Sequence, residues 1–164
     1  MVTWCCWAEG TGGVWCFALV ENTFSEHLEN ISILFTLLGE PSGRAVANSE
    51  LGLLAYDAGD LATARAHFEE ALELNEQLLY PAGQASSLSY LALVAWHEGD
   101  YEASYQAYLD ALAICERIDD RWGQASNLAN LALVEWQLGE LDAAQEDLED
   151  ALSLYEELEY TPGQ

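Results

Sequence analysis

The feature that most restricts how this chain folds is a fixed period of 40 residues. Gly43, Gly83, Gly123 and Gly163 stand 40 apart, and Gly83-Gln84-Ala85-Ser86 returns as Gly123-Gln124-Ala125-Ser126. Leu91-Ala92-Leu93-Val94-x-Trp96 likewise returns as Leu131-Ala132-Leu133-Val134-x-Trp136. A period of this size marks an array in which each unit buries its apolar face only against its neighbours.

Each unit divides at a Gly-acid step: Gly59-Asp60, Gly99-Asp100 and Gly139-Glu140. Glycine closes a helix in the left-handed conformation, and the acid beside it caps the first free amides of the next helix. The steps therefore predict tight turns between antiparallel helices. First helices are expected at Gly43–Ala58, Gln84–Glu98 and Gln124–Leu138, and second helices at Leu61–Leu79, Tyr101–Ile118 and Leu141–Leu158. Between units, Tyr80-Pro81-Ala82-Gly83 and Asp119 to Gly123 read as short loops. Ala64, Phe68, Ala71 and Leu72 define one buried stripe at helical spacing. Ser104, Tyr108, Ala111, Leu112 and Cys115 repeat it, as do Ala144, Leu148, Ala151, Leu152 and Tyr155.

The register divides the chain into an irregular leader, residues 1–22, which reads either as a worn first helix plus a loop or as a wrongly called start or fragment boundary, and a degenerate leading repeat, 23–42, that supplies a second helix. Repeats follow at 43–82, 83–122 and 123–164. Tyr160-Thr161-Pro162-Gly163-Gln164 matches Tyr80-Pro81-Ala82-Gly83-Gln84 with a small slip. A further first helix is thus expected where the sequence ends, and helix Leu141–Leu158 should show an apolar edge open to self-association. His27 and His67 share one repeat position and are expected on the surface.

Charge narrows the partners. Against 29 Asp and Glu there are four cationic side chains, all arginine, for a formal charge of -25. Nucleic acid and anionic membranes need clustered Lys or Arg and are poor partners, whereas basic segments of proteins are favoured electrostatically. An acidic surface is equally what solubility or a high-salt cytoplasm selects. Cys5, Cys6, Cys16 and Cys115 lack the paired spacing of a zinc site and read as reduced thiols. No apolar run reaches the roughly 20 residues of a membrane span, and the N-terminus lacks the basic start of a secretory signal. The expected location is cytoplasmic. No nucleophile–base pair, metal set or cofactor motif emerges, so the chain reads as a non-enzyme without a cofactor.

The pattern resembles the tetratricopeptide repeat. Leu51-Gly52, Tyr56, Gly59-Asp60-Leu61, Ala64, Phe68 and Ala71 stand at that family's offsets, as do Leu88, Leu91-Ala92, Trp96, Gly99-Asp100-Tyr101, Ser104, Tyr108 and Ala111. Leu128, Leu131-Ala132, Trp136, Gly139-Glu140-Leu141, Ala144, Leu148 and Ala151 make the third set. The period of 40 exceeds the family's usual length of about 34. The longer unit is similar to arrays in bacterial signalling ATPases and transcription regulators. The resemblance implies an all-α, right-handed α-solenoid of antiparallel helix pairs, acting as a protein- or peptide-binding scaffold. The alternative it leaves open is a sensor or oligomerisation segment of a larger bacterial or archaeal regulator.

Carried over by position, the family's concave groove falls on Ser49, Tyr56, Asp57, Ser89, Trp96, His97, Ala129, Trp136 and Gln137. Val46, Ser86 and Ser126 flank them, and Leu53, Leu93 and Leu133 are expected to be used up in packing between units. The ladder Tyr56, Trp96, Trp136 is either a row of binding anchors or part of the core. Asp57 and Glu135 are the acids expected beside it.

Overall fold

The computed structural model describes residues 27, 30, 31, 33–35 and 39–160, the last two by backbone alone. The expectations for the leader, for Cys5, Cys6 and Cys16, and for the alignment of residues 161–164 lie outside the described residues. Within 39–160 the chain forms α1 (Pro41–Asp57), α2 (Leu61–Gln77), α3 (Pro81–Glu98), α4 (Tyr101–Arg117), α5 (Arg121–Leu138) and α6 (Leu141–Tyr160). The described residues between 27 and 35 are also helical. Each helix packs mainly on the one before and the one after it in sequence, so the chain is an all-helical solenoid.

The Gly-acid steps are the tight turns the sequence predicts. Gly59, Gly99 and Gly139 take φ of 79°, 81° and 88°. Asp60 and Asp100 then accept hydrogen bonds from the Thr63 and Ala103 amides, three residues into the next helix.

The connections between units are shorter than the sequence suggests. Helices α3 and α5 begin at Pro81 and Arg121, three residues ahead of Gln84 and Gln124. Proline suits a first helical position because its φ is already helical and no amide goes unpaired. Asp120 starts α5 by accepting from the Gly123 amide at 3.0 Å. Helices α2 and α4 end one or two residues early because Leu79 and Asp119 turn left-handed, with φ of 51° and 57°. Gly39 holds that repeat position with φ of 70°, so the chain makes the same turn with three different residues.

The core lies between successive helix pairs. Ala64, Phe68 and Val94 are buried together, with Leu53, Tyr56, Leu61 and Leu91 packed around them. Gly52 lets α2 approach α1 closely: a Cβ there would stand 2.5 Å from the Phe68 ring. One repeat on, Ala92, Tyr108, Leu131 and Val134 form the equivalent cluster, with Trp96, Tyr101 and Tyr105 against it. Ser104, where the other units have alanine, donates to the Ala92 carbonyl at 2.8 Å and is thereby satisfied in the core. His67, expected on the surface, is half-buried, with Nδ1 2.9 Å from the Asn48 Oδ1.

The buried stripe of the second helices changes at the last unit. Phe68 is 1% and Tyr108 2% exposed, but at the same repeat position Leu148 is 49% exposed, and Leu152 is 59%. In the inner units the next first helix covers this position, whereas among the described residues nothing does so for α6.

Candidate partner-binding surface

The first helices α1, α3 and α5 repeat the same stripe of positions. Along α3, Ser86, Ser89, Leu93, Trp96 and His97 follow one another at spacings that keep them on one side of a helix. The equivalents are Val46, Ser49, Leu53, Tyr56 and Asp57 on α1, and Ser126, Ala129, Leu133, Trp136 and Gln137 on α5.

Helix starts on this face carry hydroxyls. The Ser49 hydroxyl donates back to the Ala45 carbonyl at 3.1 Å. Ser89 lies between α3 and α5, with its hydroxyl 2.7 Å from the Asn127 Oδ1 and 2.9 Å from the Ala85 carbonyl. Asn127 is buried and donates to the Gly123 carbonyl at 2.9 Å and towards the Cys115 sulfur at 3.6 Å. Around these groups opens a depression of about 270 Å3 that also takes in Ser86, Ser126, Asp120 and Trp122. Burial pushes the Cys115 thiol up, so it stays protonated and serves as core rather than as a nucleophile. Sequence reasoning missed Asn127. Its signal was slight, an amide where the earlier units carry Ala47 and Ser87.

Helix ends on this face carry the aromatic ladder, and its rungs differ. Tyr56 is half-buried against the Ala64–Phe68–Val94 cluster, and its hydroxyl lies 2.5 Å from the His97 Nε2. Burial, then the nearby Asp57 carboxylate, raises the Tyr56 hydroxyl above its ordinary value. Trp96 is half-buried against Tyr108, Leu131 and Val134, and its Nε1 is buried without a hydrogen-bond partner. The exposed imidazole of His97 meets both rings edge-on, with centroids 5.2 Å from Tyr56 and 4.8 Å from Trp96. Trp136 stands 61% exposed because no further first helix is packed on it among the described residues. Asp57 and Gln137 are exposed beside their rungs, and Ala129 is half-buried.

Glu135 is not an acid of this face. It is 5% exposed, between α5 and α6, at the repeat position held by Ala55 and Ala95. Its Oε2 has no partner, and its carboxyl shares a hydrogen bond with Asp147 of α6. Burial first, and then Asp147, Glu140 and Glu146, push Glu135 up to about 7. Burial also raises Asp147, with Asp150 and Glu146 adding to it. A glutamate where its repeat equivalents are alanine was the available sequence signal.

Cations are sparse, and two of the four arginines bind helices together. Arg44 pairs with Glu70 across the first helix pair, and Arg65 with Glu98 across the junction to the next. Arg121 pairs with Asp119 at 3.1 Å in an exposed loop, where such a contact contributes little. Among the described residues no cluster of three or more His, Cys, Asp or Glu side chains is arranged to hold a metal ion, and no helix is long and apolar enough to cross a membrane.

The same architecture recurs among solved structures. The fold is similar to that of BtubC (BKLC) from P. vanneervenii, with a TM-score of 0.78 and 19% identity over 88% of this chain and 60% of that one. This chain thus spans less than two thirds of BtubC. It is also similar to the kinesin light chain-like TPR repeats of Podosopora anserina, with a TM-score of 0.66 and 16% identity over 86% of this chain and 70% of that one. MamA superposes with a TM-score of 0.59 and 20% identity over 81% of this chain and 79% of its own. Identities this low establish a shared fold only. No curated protein matches the sequence. The sequence pattern of the tetratricopeptide repeat matches residues 45–78 and again residues 83–157. With the repeat offsets, the helix pairs and the solenoid in agreement, this chain belongs to the tetratricopeptide repeat family.

Proposed function

We propose that the chain is a protein-docking scaffold whose face of first helices receives an extended segment of another protein bearing Lys or Arg. The observation that carries this reading is the exposure of Asp57, His97 and Gln137 in one repeat register on successive first helices, with the exposed Trp136 indole beside the last of them, on a chain of formal charge -25. An indole face attracts a cation by roughly 0.5–2 kcal/mol, an exposed carboxylate adds direction, and the negative field speeds encounter. The hydroxyl-lined depression at the other end of α3 and α5 offers donors and acceptors to an extended backbone. Half-buried Tyr56 and Trp96 support the rungs and contribute less contact area of their own. No catalytic step is proposed, because the perturbed acid Glu135 is enclosed between helices and not presented to a cavity.

Exposed positions make the test clean. Asp57→Asn and His97→Ala should each weaken binding of a captured Lys- or Arg-bearing peptide about three- to tenfold, roughly 1 kcal/mol, with helicity unchanged. Affinity should also fall as salt rises. If both variants bind as the parent does, the partner sits elsewhere.

A further inference from the structure

The last described helix pair carries a second surface, which shares Trp136 with the face above but neither of the positions tested there. Between α5 and α6 runs an open apolar groove of about 400 Å3, lined chiefly by Leu133, Trp136, Leu141, Leu148 and Leu152. Leu141 is 60% exposed, as open as its neighbours on this groove. So much contiguous exposed leucine and indole is uncommon on a surface with no partner.

The molecule itself shows what fits such a groove. At the first inner junction Val94 and Leu91 of α3 cover Ala64 and Phe68, and Tyr90 stacks on the Phe68 ring with centroids 4.9 Å apart. At the next, Leu131 and Val134 of α5 cover Ala92 and Tyr108. In both cases the cover is a helix with Leu and Val three residues apart. Ala144 and Leu148 repeat the covered positions, so the groove matches a helix of the same pattern.

Charge then selects the source of that helix. Helix α6 carries Asp142, Glu146, Asp147, Glu149, Asp150, Glu156, Glu157 and Glu159 and no cation. Glu149 lines the groove at the position where the inner repeat has the partly buried Leu109, and it takes only a neutral hydrogen bond, from Gln145 at 2.8 Å. A second copy suits this groove poorly. Two α6 helices back to back would set carboxylates against carboxylates, and in α1 the covering positions Leu51 and Leu54 are already buried and half-buried. We propose that the groove between α5 and α6 binds a basic amphipathic helix of another protein, which docks as a further first helix with its Leu-x-x-Val stripe on Leu148 and Leu152 and a Lys or Arg facing Glu149.

The test uses the full chain and three synthetic helical peptides: one with the Leu-x-x-Val stripe and Lys or Arg flanks, an isomer with Glu at the flanks, and a scrambled control. Titration calorimetry should show one-to-one binding of the basic peptide alone. Leu148→Glu and, separately, Leu152→Gln should weaken it at least tenfold with helicity retained, and Glu102→Gln, at an exposed position of α4 away from the groove, should leave it unchanged. Failure of the basic peptide to bind, equal binding of the acidic isomer, or indifference to both α6 variants overturns the proposal. Sedimentation as a dimer that Leu152→Gln dissolves would also overturn it, by making a second copy the occupant.

Discussion

Replacing Glu135 with glutamine should stabilise the protein, and only above mildly acidic pH. In the folded chain burial and the facing Asp147 carboxyl hold Glu135 up to about 7, against an ordinary value of 4.5. Below pH 4.5 both the folded and unfolded chains keep this proton, and the group contributes no pH dependence. Between 4.5 and 7 the unfolded chain releases the proton while the folded chain keeps it, so stability falls as pH rises, at up to about 1.4 kcal/mol per pH unit. Above 7 both are ionised and the penalty is complete. Its ceiling is about 3 kcal/mol by the same conversion; relaxation around the pair and sharing of the proton with Asp147 bring the expected figure to ~1–2 kcal/mol. Glutamine keeps the shape, carries no charge at any pH, and donates its amide to the Asp147 carboxyl. Urea denaturation, followed by circular dichroism and by tryptophan fluorescence because repeat arrays unfold in parts, should give parent and Glu135→Gln equal stability near pH 4.5. At pH 8 the variant should be ahead by ~1–2 kcal/mol. Parallel curves across this range, or a variant weaker at pH 8, would refute the buried-acid reasoning.

Leu79 turns left-handed while 84% exposed, so Leu79→Gly should raise stability by about 0.5–1 kcal/mol, the relief of that conformation less the added freedom of the unfolded chain; thermal melting reads it, and a lower melting point would mean that Leu79 packs usefully. Crowded carboxylates predict a melting temperature that climbs from low to molar salt, since screening reduces their mutual repulsion. A flat or falling curve would show that this repulsion is not a significant component of stability.

The solenoid was readable in the sequence because each unit repeats its own packing code. Three copies of the Gly-acid step and of the Ala/Phe-type stripe are locally self-sufficient signals, and the helices they predict are present. Less readable was anything set by one residue's departure from the repeat. Leu79 and Asp119 take over the left-handed turn from glycine, which shifted the helix boundaries. Glu135 faces inward because its position does, although its chemistry suits the surface. The aromatic ladder illustrates the same limit at the candidate site. Tyr56, Trp96 and Trp136 share a register, but only whether a following helix packs on it among the described residues decides that Trp96 is half-buried and Trp136 open. Periodicity reports the position and is silent on the neighbour.

That contrast supplies the most direct test of the account, which assigns Trp96 to holding repeats together and Trp136 to meeting a partner. Trp96→Ala and Trp136→Ala should be measured side by side for unfolding free energy and for affinity, per folded molecule, for a captured Lys- or Arg-bearing segment. Trp96→Ala should lower stability by about 2–3 kcal/mol, somewhat below the cost of a fully buried aromatic, with affinity nearly unchanged. Trp136→Ala should do the reverse, losing on the order of 1 kcal/mol or more of binding with little change in stability. A Trp136→Ala variant that binds as the parent does, or a Trp96→Ala variant that stays stable and loses the partner, would contradict it.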